Sequence, residues 1–409
     1  MRQHDTTTDR SVLVLSGGML AACILLAWPA AVRADALTQT FSATTGVQYY
    51  SNPVFTPGNA QAVTVGTFAP QYTIGTTGGA NNWNLNAGLN VQRSSDPGIM
   101  INRADPSLTA GWEHDWATGN FGLSAHYDQS SILFGNTATT PENVNYVHDG
   151  SRDTSSASAK WTEALSEYWQ LETDASYNQI SFTGLSAAGP VNAPVSLATL
   201  ALSNYQDAIF GAKLARTLSD AVLAYGQISY TRLTMTAPQP DSSEVNSILG
   251  LHWQATTTVS LDAYAGESSI ATDGSQAVYA SSAMAPASSG AIGDATLAWQ
   301  GQQASASLEA SRTNKPSGFG GFMSTDLITA KAQDTFSERN SAGVEYDYLE
   351  NLDLFISTSN RYIAWVTHKF TPSLNLQLML QRLSMSFLSN PTEYNNIIGL
   401  NLYYTLADF

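Results

Sequence analysis

Between Leu108 and Ser131 the chain alternates apolar and polar residues twice, and this period of two limits the fold more than any other feature. Leu108, Ala110, Trp112, His114 and Trp116 fall on one face, with Thr109, Gly111, Glu113 and Asp115 on the other. After Ala117-Thr118-Gly119-Asn120 the pattern resumes, with Phe121, Leu123, Ala125 and Tyr127 opposing Gly122, Ser124, His126 and Asp128. Two such runs across a tight break predict an antiparallel hairpin. Soluble sandwich strands usually run to about five or six residues. Runs of about nine to eleven, apolar on one face with aromatics near their ends, suit strands that cross a bilayer.

The alternation recurs, giving about eighteen strands (sixteen to twenty) between 38 and 407. Short breaks follow the even strands: Gly78-Gly79, Thr118-Gly119, Leu165-Ser166-Glu167, Leu218-Ser219-Asp220, Thr256-Thr257, Gly301-Gln302, Glu350 and Thr371-Pro372. Longer connections follow the odd ones, at 51–61, 94–105, 132–151, 183–203, 235–242, 271–290 and 314–334, with shorter members at 360 and 387–393. The fourteenth and fifteenth strands fall at 335–349 and 351–359 in this reading. Such alternation of connection length belongs to bacterial transmembrane barrels, and an even count puts both termini in the periplasm. No fixed-length repeat or blade motif is present.

Composition fits. Of 409 residues 43% are hydrophobic and only 12% charged, about half the charged share of a soluble domain. After the N-terminus no run of about 20 apolar residues occurs, which excludes helical spans. The start has the form of a secretory signal: Arg2 and Arg10 precede an apolar core, 11–28, and Ala34-Asp35-Ala36 supplies a small-x-small cleavage site. Residues 1–36 are therefore read as a cleaved signal peptide and 37–409 as the barrel. Cys23, the sole cysteine, sits in a lipoprotein-like Leu20-Ala21-Ala22-Cys23, but the apolar run continues past it to Trp28, against lipidation. The net charge is −16 and stays so without 1–36, whose three basic and three acidic residues cancel. That balance argues against a nucleic-acid partner.

In a wide barrel the apolar face meets lipid and the polar face a lumen, because a carboxylate in hydrocarbon costs a few kcal/mol. Glu113, Asp115, Asp128, Glu172, Asp174, Asp262, Glu309, Glu345 and Asp347 are accordingly expected to line the interior and to favour cations or polar solutes over anions. Trp83, Trp116, Trp161, Trp169, Trp253 and Trp299 cluster beside the short breaks and are assigned to a periplasmic aromatic girdle. Loops 132–151 and 183–203 are long enough to fold inward as constrictions. Asp96, Arg103, Asp149, Arg152 and Asp153 lie near strand tops, where surface ion pairing is favoured over a calcium site.

At this point the chain resembles the β-barrel porins of Gram-negative bacteria, some of them encoded beside exopolysaccharide genes. The resemblance rests on Gly46-Val47-Gln48-Tyr49-Tyr50-Ser51-Asn52-Pro53, on Asn102-Arg103, and on the end from Gly399 to Phe409. It spans essentially 37–409 and implies an all-β, transmembrane, antiparallel up-and-down barrel in the outer membrane. Implied partners are outer-membrane lipids and lipopolysaccharide, the barrel-assembly machinery, which reads the terminal Phe409, and a homotrimer. The end departs from the pattern. Ile398, Leu400, Leu402, Tyr404 and Leu406 are one residue out of phase with Phe409, so either a bulge restores register or Asp408-Phe409 lies beyond the strand.

Nothing points to an enzyme or a cofactor. His114, His126, His148, His252 and His368 are scattered, without a zinc motif, a GxSxG or a phosphate loop. His126 and Asp128 share a face, as such pairs often do in alternating strands. Carboxylate pairs on single strands do not establish two groups flanking a sugar. The expected function is passive diffusion of small polar solutes or ions through a weakly acidic lumen. An exopolysaccharide-associated export or surface barrel is the alternative, and a surface hydrolase the weakest reading.

Overall fold

The computed structural model describes residues 36–55, 60–132, 149–184, 202–236, 239–273, 289–318, 320–352, 356–387 and 392–407. Residues 1–35, with Cys23, lie outside it, as do Phe409 and most of 132–151 and 183–203. Long alternating runs yield eighteen strands. The first six are β1 (Ala36–Tyr50), β2 (Val63–Thr77), β3 (Asn81–Ser94), β4 (Arg103–Trp116), β5 (Gly119–Ser131) and β6 (Ser151–Ala164). Then come β7 (Trp169–Thr183), β8 (Tyr205–Ser219), β9 (Val222–Met235), β10 (Ser242–Gln254), β11 (Val259–Thr272) and β12 (Gly290–Gln300). The last are β13 (Ala304–Pro316), β14 (Phe322–Ser337), β15 (Asn340–Asn351), β16 (Ile356–Thr371), β17 (Leu374–Phe387) and β18 (Glu393–Ala407).

Each strand pairs antiparallel with the next, and β1 closes on β18 from Thr40↔Ala407 to Tyr50↔Ile397. Closure leaves no unpaired edge, the condition for placing strands in a medium without water. Strands spaced about 4.8 Å and tilted about 40° give a ring of this number a backbone diameter of about 35 Å, too wide for side chains to fill.

Eighteen is the expected count, but one hairpin sits elsewhere than the pattern suggested. β14 covers Phe322–Ser337 and β15 covers Asn340–Asn351, so the short turn falls at 338–339, not Glu350, and the preceding connection shrinks to 317–321. Asn360 lies within β16. The outward side of β14 is mostly alanine (Ala330, Ala332), Leu327-Ile328 breaks its alternation, and Glu338-Arg339 carries no Gly, Pro or Asn to mark a turn. Among the described residues of the C-terminal strand no bulge occurs: β18 pairs without a register shift with both β17 and β1 as far as Ala407, and Asp408 and Phe409 lie outside the described residues.

The outer face is apolar through the middle of each strand. On β17 Leu374, Leu376, Leu378 and Leu380 share it, and Leu249 on β10 is 75% exposed. Asn401 and Asp347, on the opposite face, are buried.

Toward the long-connection end the polarity reverses. The outward positions of β17 become Arg382, Ser384 and Ser386, while inward Leu383 and Met385 are buried. On β9 outward Ile228 and Tyr230 give way to Arg232 and Thr234, as inward Leu233 and Met235 become buried. β2, β7 and β18 do the same at Val63 and Val65, at Ile180 and Phe182, and at Ile397. These strand tips are built as a water-soluble protein would be, apolar within and polar without.

Connections cover the inward apolar tips. Ile99 and Met100 of the β3–β4 connection pack on Tyr50, Val63, Val65 and Ile397. Phe55 packs on Leu383 and Met385. Beyond β13 the chain bends inward, so that Ser203 N–H donates to Gly318 O (2.7 Å) and Phe322 joins Ile180, Phe182, Tyr205, Leu233 and Met235. Gly320 and Gly321, at φ of 110° and 96°, make that bend, a conformation that costs glycine nothing. The expectation of inward loops at 132–151 and 183–203 falls mainly outside the described residues; the ones described are 51–55, 95–102 and, on either side of 319, 317–318 with 320–321.

Candidate functional site

The interior of the ring is the candidate site. Strand register places all nine sequence-selected carboxylates on the inward face, for instance through Thr109↔His126, Lys160↔Asp174, His252↔Asp262, Thr296↔Glu309 and Lys331↔Glu345. They do not form one uniform acidic lining, because inward cations interleave with them.

On the β6–β8 wall Lys160 Nζ lies 3.0 Å and Lys213 Nζ 4.0 Å from the Glu172 carboxylate. On the β14–β16 wall Arg361 bridges Glu345 (2.8 Å) and Asp347 (2.5 Å), with Lys331 3.6 Å from Glu345. Thr329 Oγ1 also donates to Asp347 (2.9 Å). These carboxylates are largely neutralised.

The β11–β13 wall differs. Asp262, Asp294 and Glu309 follow one another on adjacent strands, joined in register through Thr296, and none is in an ion pair with Lys or Arg among the described residues. His252 Nδ1 meets Asp262 at 2.7 Å, and the Thr296 hydroxyl donates to Asp294 at 3.4 Å. Asp294 was not among the residues singled out from the sequence, nor were the cations. All share inward parity with their neighbours, a signal that extending the face assignment to every strand would have found.

Two aromatic rings lie flat against the inner wall. A Cβ at Gly250 would overlap the Tyr225 ring, and one at Gly343 would overlap the Trp365 indole. Each ring occupies the space its neighbour's missing side chain leaves, so it covers the wall without projecting across the lumen. Lys213 Nζ sits 5.0 Å from the Tyr225 ring centre and Lys331 Nζ 5.6 Å from that of Trp365. Between β4 and β7 a polar recess of about 320 Å³ opens, lined by Glu113, Asn120, Lys160, Thr162, Gln170 and Glu172. Asn120 Nδ2 donates to Glu113 there (3.1 Å), and Asn82 Nδ2 to Asp115 (3.4 Å).

His126 bonds Asp128 through Nε2 (3.2 Å) and the Thr109 hydroxyl through Nδ1 (2.9 Å). A hydroxyl, imidazole and carboxylate in sequence resemble a hydrolytic relay. Acyl transfer also needs N–H groups free to hold an oxyanion. Here the strand amides are committed to a continuous ladder on both sides of β5. His114 is on the outer face, stacked on Trp112 and near Trp116, its Nδ1 bonded to Asn81.

The strand-top charges are a correction. Arg103 and Asp149, with side chains 4% and 0% exposed, form no surface pair. Arg103 reaches Asp105 (2.5 Å), Asp149 (3.5 Å), Gly150 O (3.0 Å) and Ser151 Oγ (3.2 Å), and Ser131 donates to Asp149 (2.6 Å). This buried network pins the end of the β5–β6 connection to β4. Asp96 instead receives the Gly98 N–H within its own turn (3.0 Å). Among the described residues no group of three or more His, Cys, Asp or Glu is placed to hold a metal ion.

The six sequence-selected tryptophans stand on outward positions at the short-turn end: Trp83, Trp116, Trp161, Trp169, Trp253 and Trp299. Arg216 stacks 5.3 Å from the Trp169 ring.

No protein-family model matches the sequence, and no curated protein does. Solved structures similar to it include Pseudomonas aeruginosa OpdQ, 10% identical, covering 92% of this chain and 100% of that one at a TM-score of 0.49. Acinetobacter baumannii OccAB4 is 9% identical over 91% and 98% of the two chains, at 0.48. Pseudomonas aeruginosa OccK1 (OpdK) is 11% identical over 91% and 99%, at 0.47. The barrel rests on its own hydrogen-bond ladder, not on this likeness.

Proposed function

We propose that the chain is an integral outer-membrane pore through which small polar solutes and ions diffuse passively. One observation carries this: a closed ring too wide to fill has leucines on its exposed mid-height face and ionised side chains on its enclosed face. In this reading the short turns and both termini are periplasmic, the tryptophans form the inner girdle, and the reversed tips stand above the outer leaflet. The carboxylates of β11–β13, which have no Lys or Arg partner among the described residues, give the lumen a cation preference. Outer-membrane lipids, lipopolysaccharide and the assembly machinery are the partners of such a protein; a homotrimer is the oligomer it would adopt.

Planar-bilayer recording of the purified protein tests the proposal, with stable conductance steps and a cation-selective reversal potential as the expected result. A second reading has its own support. The inward-folded connections and buried tips narrow the mouth, as in a barrel that opens only with other components, such as an exopolysaccharide export system. Silent bilayers from a correctly folded barrel would favour that reading.

A further inference from the structure

We infer that the outer face of β13–β18 carries a binding site for a phosphorylated, multiply acylated glycolipid of the outer leaflet. This rests on the membrane placement proposed above, though not on pore activity. A trough of about 800 Å³ runs along this face. Its floor is a cross-strand row that runs from Ala306 through Ala332, Val344 and Ala364 to Leu380 and Ile398, with small alanines at three of its six positions. Next to that row Tyr346 and Tyr362, centroids 4.9 Å apart, raise one bank.

Arg382 stands in register with Tyr362, on the bank nearer the long-connection end. Its guanidinium stacks 4.3 Å from the Tyr394 ring and has no carboxylate partner among the described residues. Elsewhere on the outward rim, Arg232 and Arg312 are each engaged by aspartates at 2.5 Å. Arg382 also marks the level at which β17 reverses polarity, the height of a lipid headgroup. A free cation above an apolar trough, in a chain of net charge −16, complements an anionic headgroup with flexible acyl chains below it.

Native mass spectrometry of the detergent-solubilised full chain tests this, using a bis-phosphorylated, hexa-acylated glucosamine disaccharide as probe. Wild type should retain one equivalent, Arg382→Gln should weaken retention about five-fold, and Ala364→Trp, which fills the floor, should abolish it. Arg232→Gln should leave retention unchanged. Unaltered retention in both trough variants overturns the site. Equal retention of phosphatidylglycerol by wild type overturns the glycolipid assignment. Loss of an oligomer in Ala364→Trp, with lipid retention intact, shows that the trough is a contact between copies. Heat-modifiable migration of each variant confirms folding, and a wild type that stays soluble without detergent would instead refute the membrane placement itself.

Discussion

Neutralising the β11–β13 wall is the most direct test of the lumen. In the triple variant Asp262→Asn, Asp294→Asn, Glu309→Gln, each side chain keeps its shape while its charge is lost. An ion passing about 8 Å from one carboxylate in water interacts with it by about 0.5 kcal/mol before screening. A Debye length of about 10 Å at 0.1 M salt reduces this to about 0.2 kcal/mol. Three groups sum to about 0.7 kcal/mol, favourable to a cation and equally unfavourable to an anion. The difference, about 1.4 kcal/mol, is a tenfold change in the cation-to-anion permeability ratio. At 1 M salt the Debye length of about 3 Å leaves a change well under two-fold. Reversal potentials across a salt gradient, recorded at both ionic strengths, give these ratios. Removing Glu345 and Asp347 should matter less, since Arg361 and Lys331 already balance them. If the triple variant keeps wild-type selectivity at 0.1 M, or loses it equally at 1 M, this wall does not set ion preference.

The remaining predictions concern the barrel and its mouth. Leu378→Arg, on the outward mid-height face, should destabilise the barrel by about 2–4 kcal/mol in denaturant titrations in lipid, while Gln377→Arg next to it should cost much less. A reversed order would mean that the faces are inverted. Arg103→Met leaves Asp105 and Asp149 buried without their cation and should cost about 3–5 kcal/mol, with much of it recovered when both aspartates become asparagine. Full additivity of the single effects would show that the three do not form one network. Phe182→Ala removes the support under the 317–321 bend and should raise single-channel conductance or its noise, measured in the same bilayers; an unchanged trace would show that the bend does not limit the mouth.

How much of this was legible depends on what each strand has to satisfy. Mid-barrel strands such as β4, β5 and β17 face lipid on one side and water on the other, so their alternation is strong and their limits were read within a few residues. β14 was misplaced because Ala330 and Ala332 suffice beneath the trough, and small residues give little contrast against Thr329 and Lys331. The lumen was only half legible. Carboxylates stand out in a sequence as costly groups, while Lys160, Lys213 and Arg361, at the same parity, were not singled out. Their pairing depends on which strands are neighbours and at what register, and that information lies in the closed ladder. The Arg103 network joins residues more than forty positions apart, through connections whose course no local pattern encodes.

The reversal at the strand tips joins these observations. A strand that leaves lipid for water can no longer hide its apolar residues on the outside, so Leu383 and Met385 turn inward where Leu378 and Leu380 turned outward. An inward apolar residue at the rim of a wide, wet ring has nothing to pack on unless a connection supplies it. Phe55 and Met100 of two connections do so, as does Phe322 where the 317–321 bend enters β14, and all three are buried. The change of phase therefore both marks where the bilayer stops and requires the connections to fold inward. Narrowing of the mouth follows from how the strands leave the membrane, whatever solute passes below. Arg382 on β17 and Arg232 on β9 sit at that change of phase, so their depths, measured by spin labels introduced at the two sites, should agree. Depths differing by much more than one strand residue, about 3.3 Å, would separate the phase change from the lipid boundary.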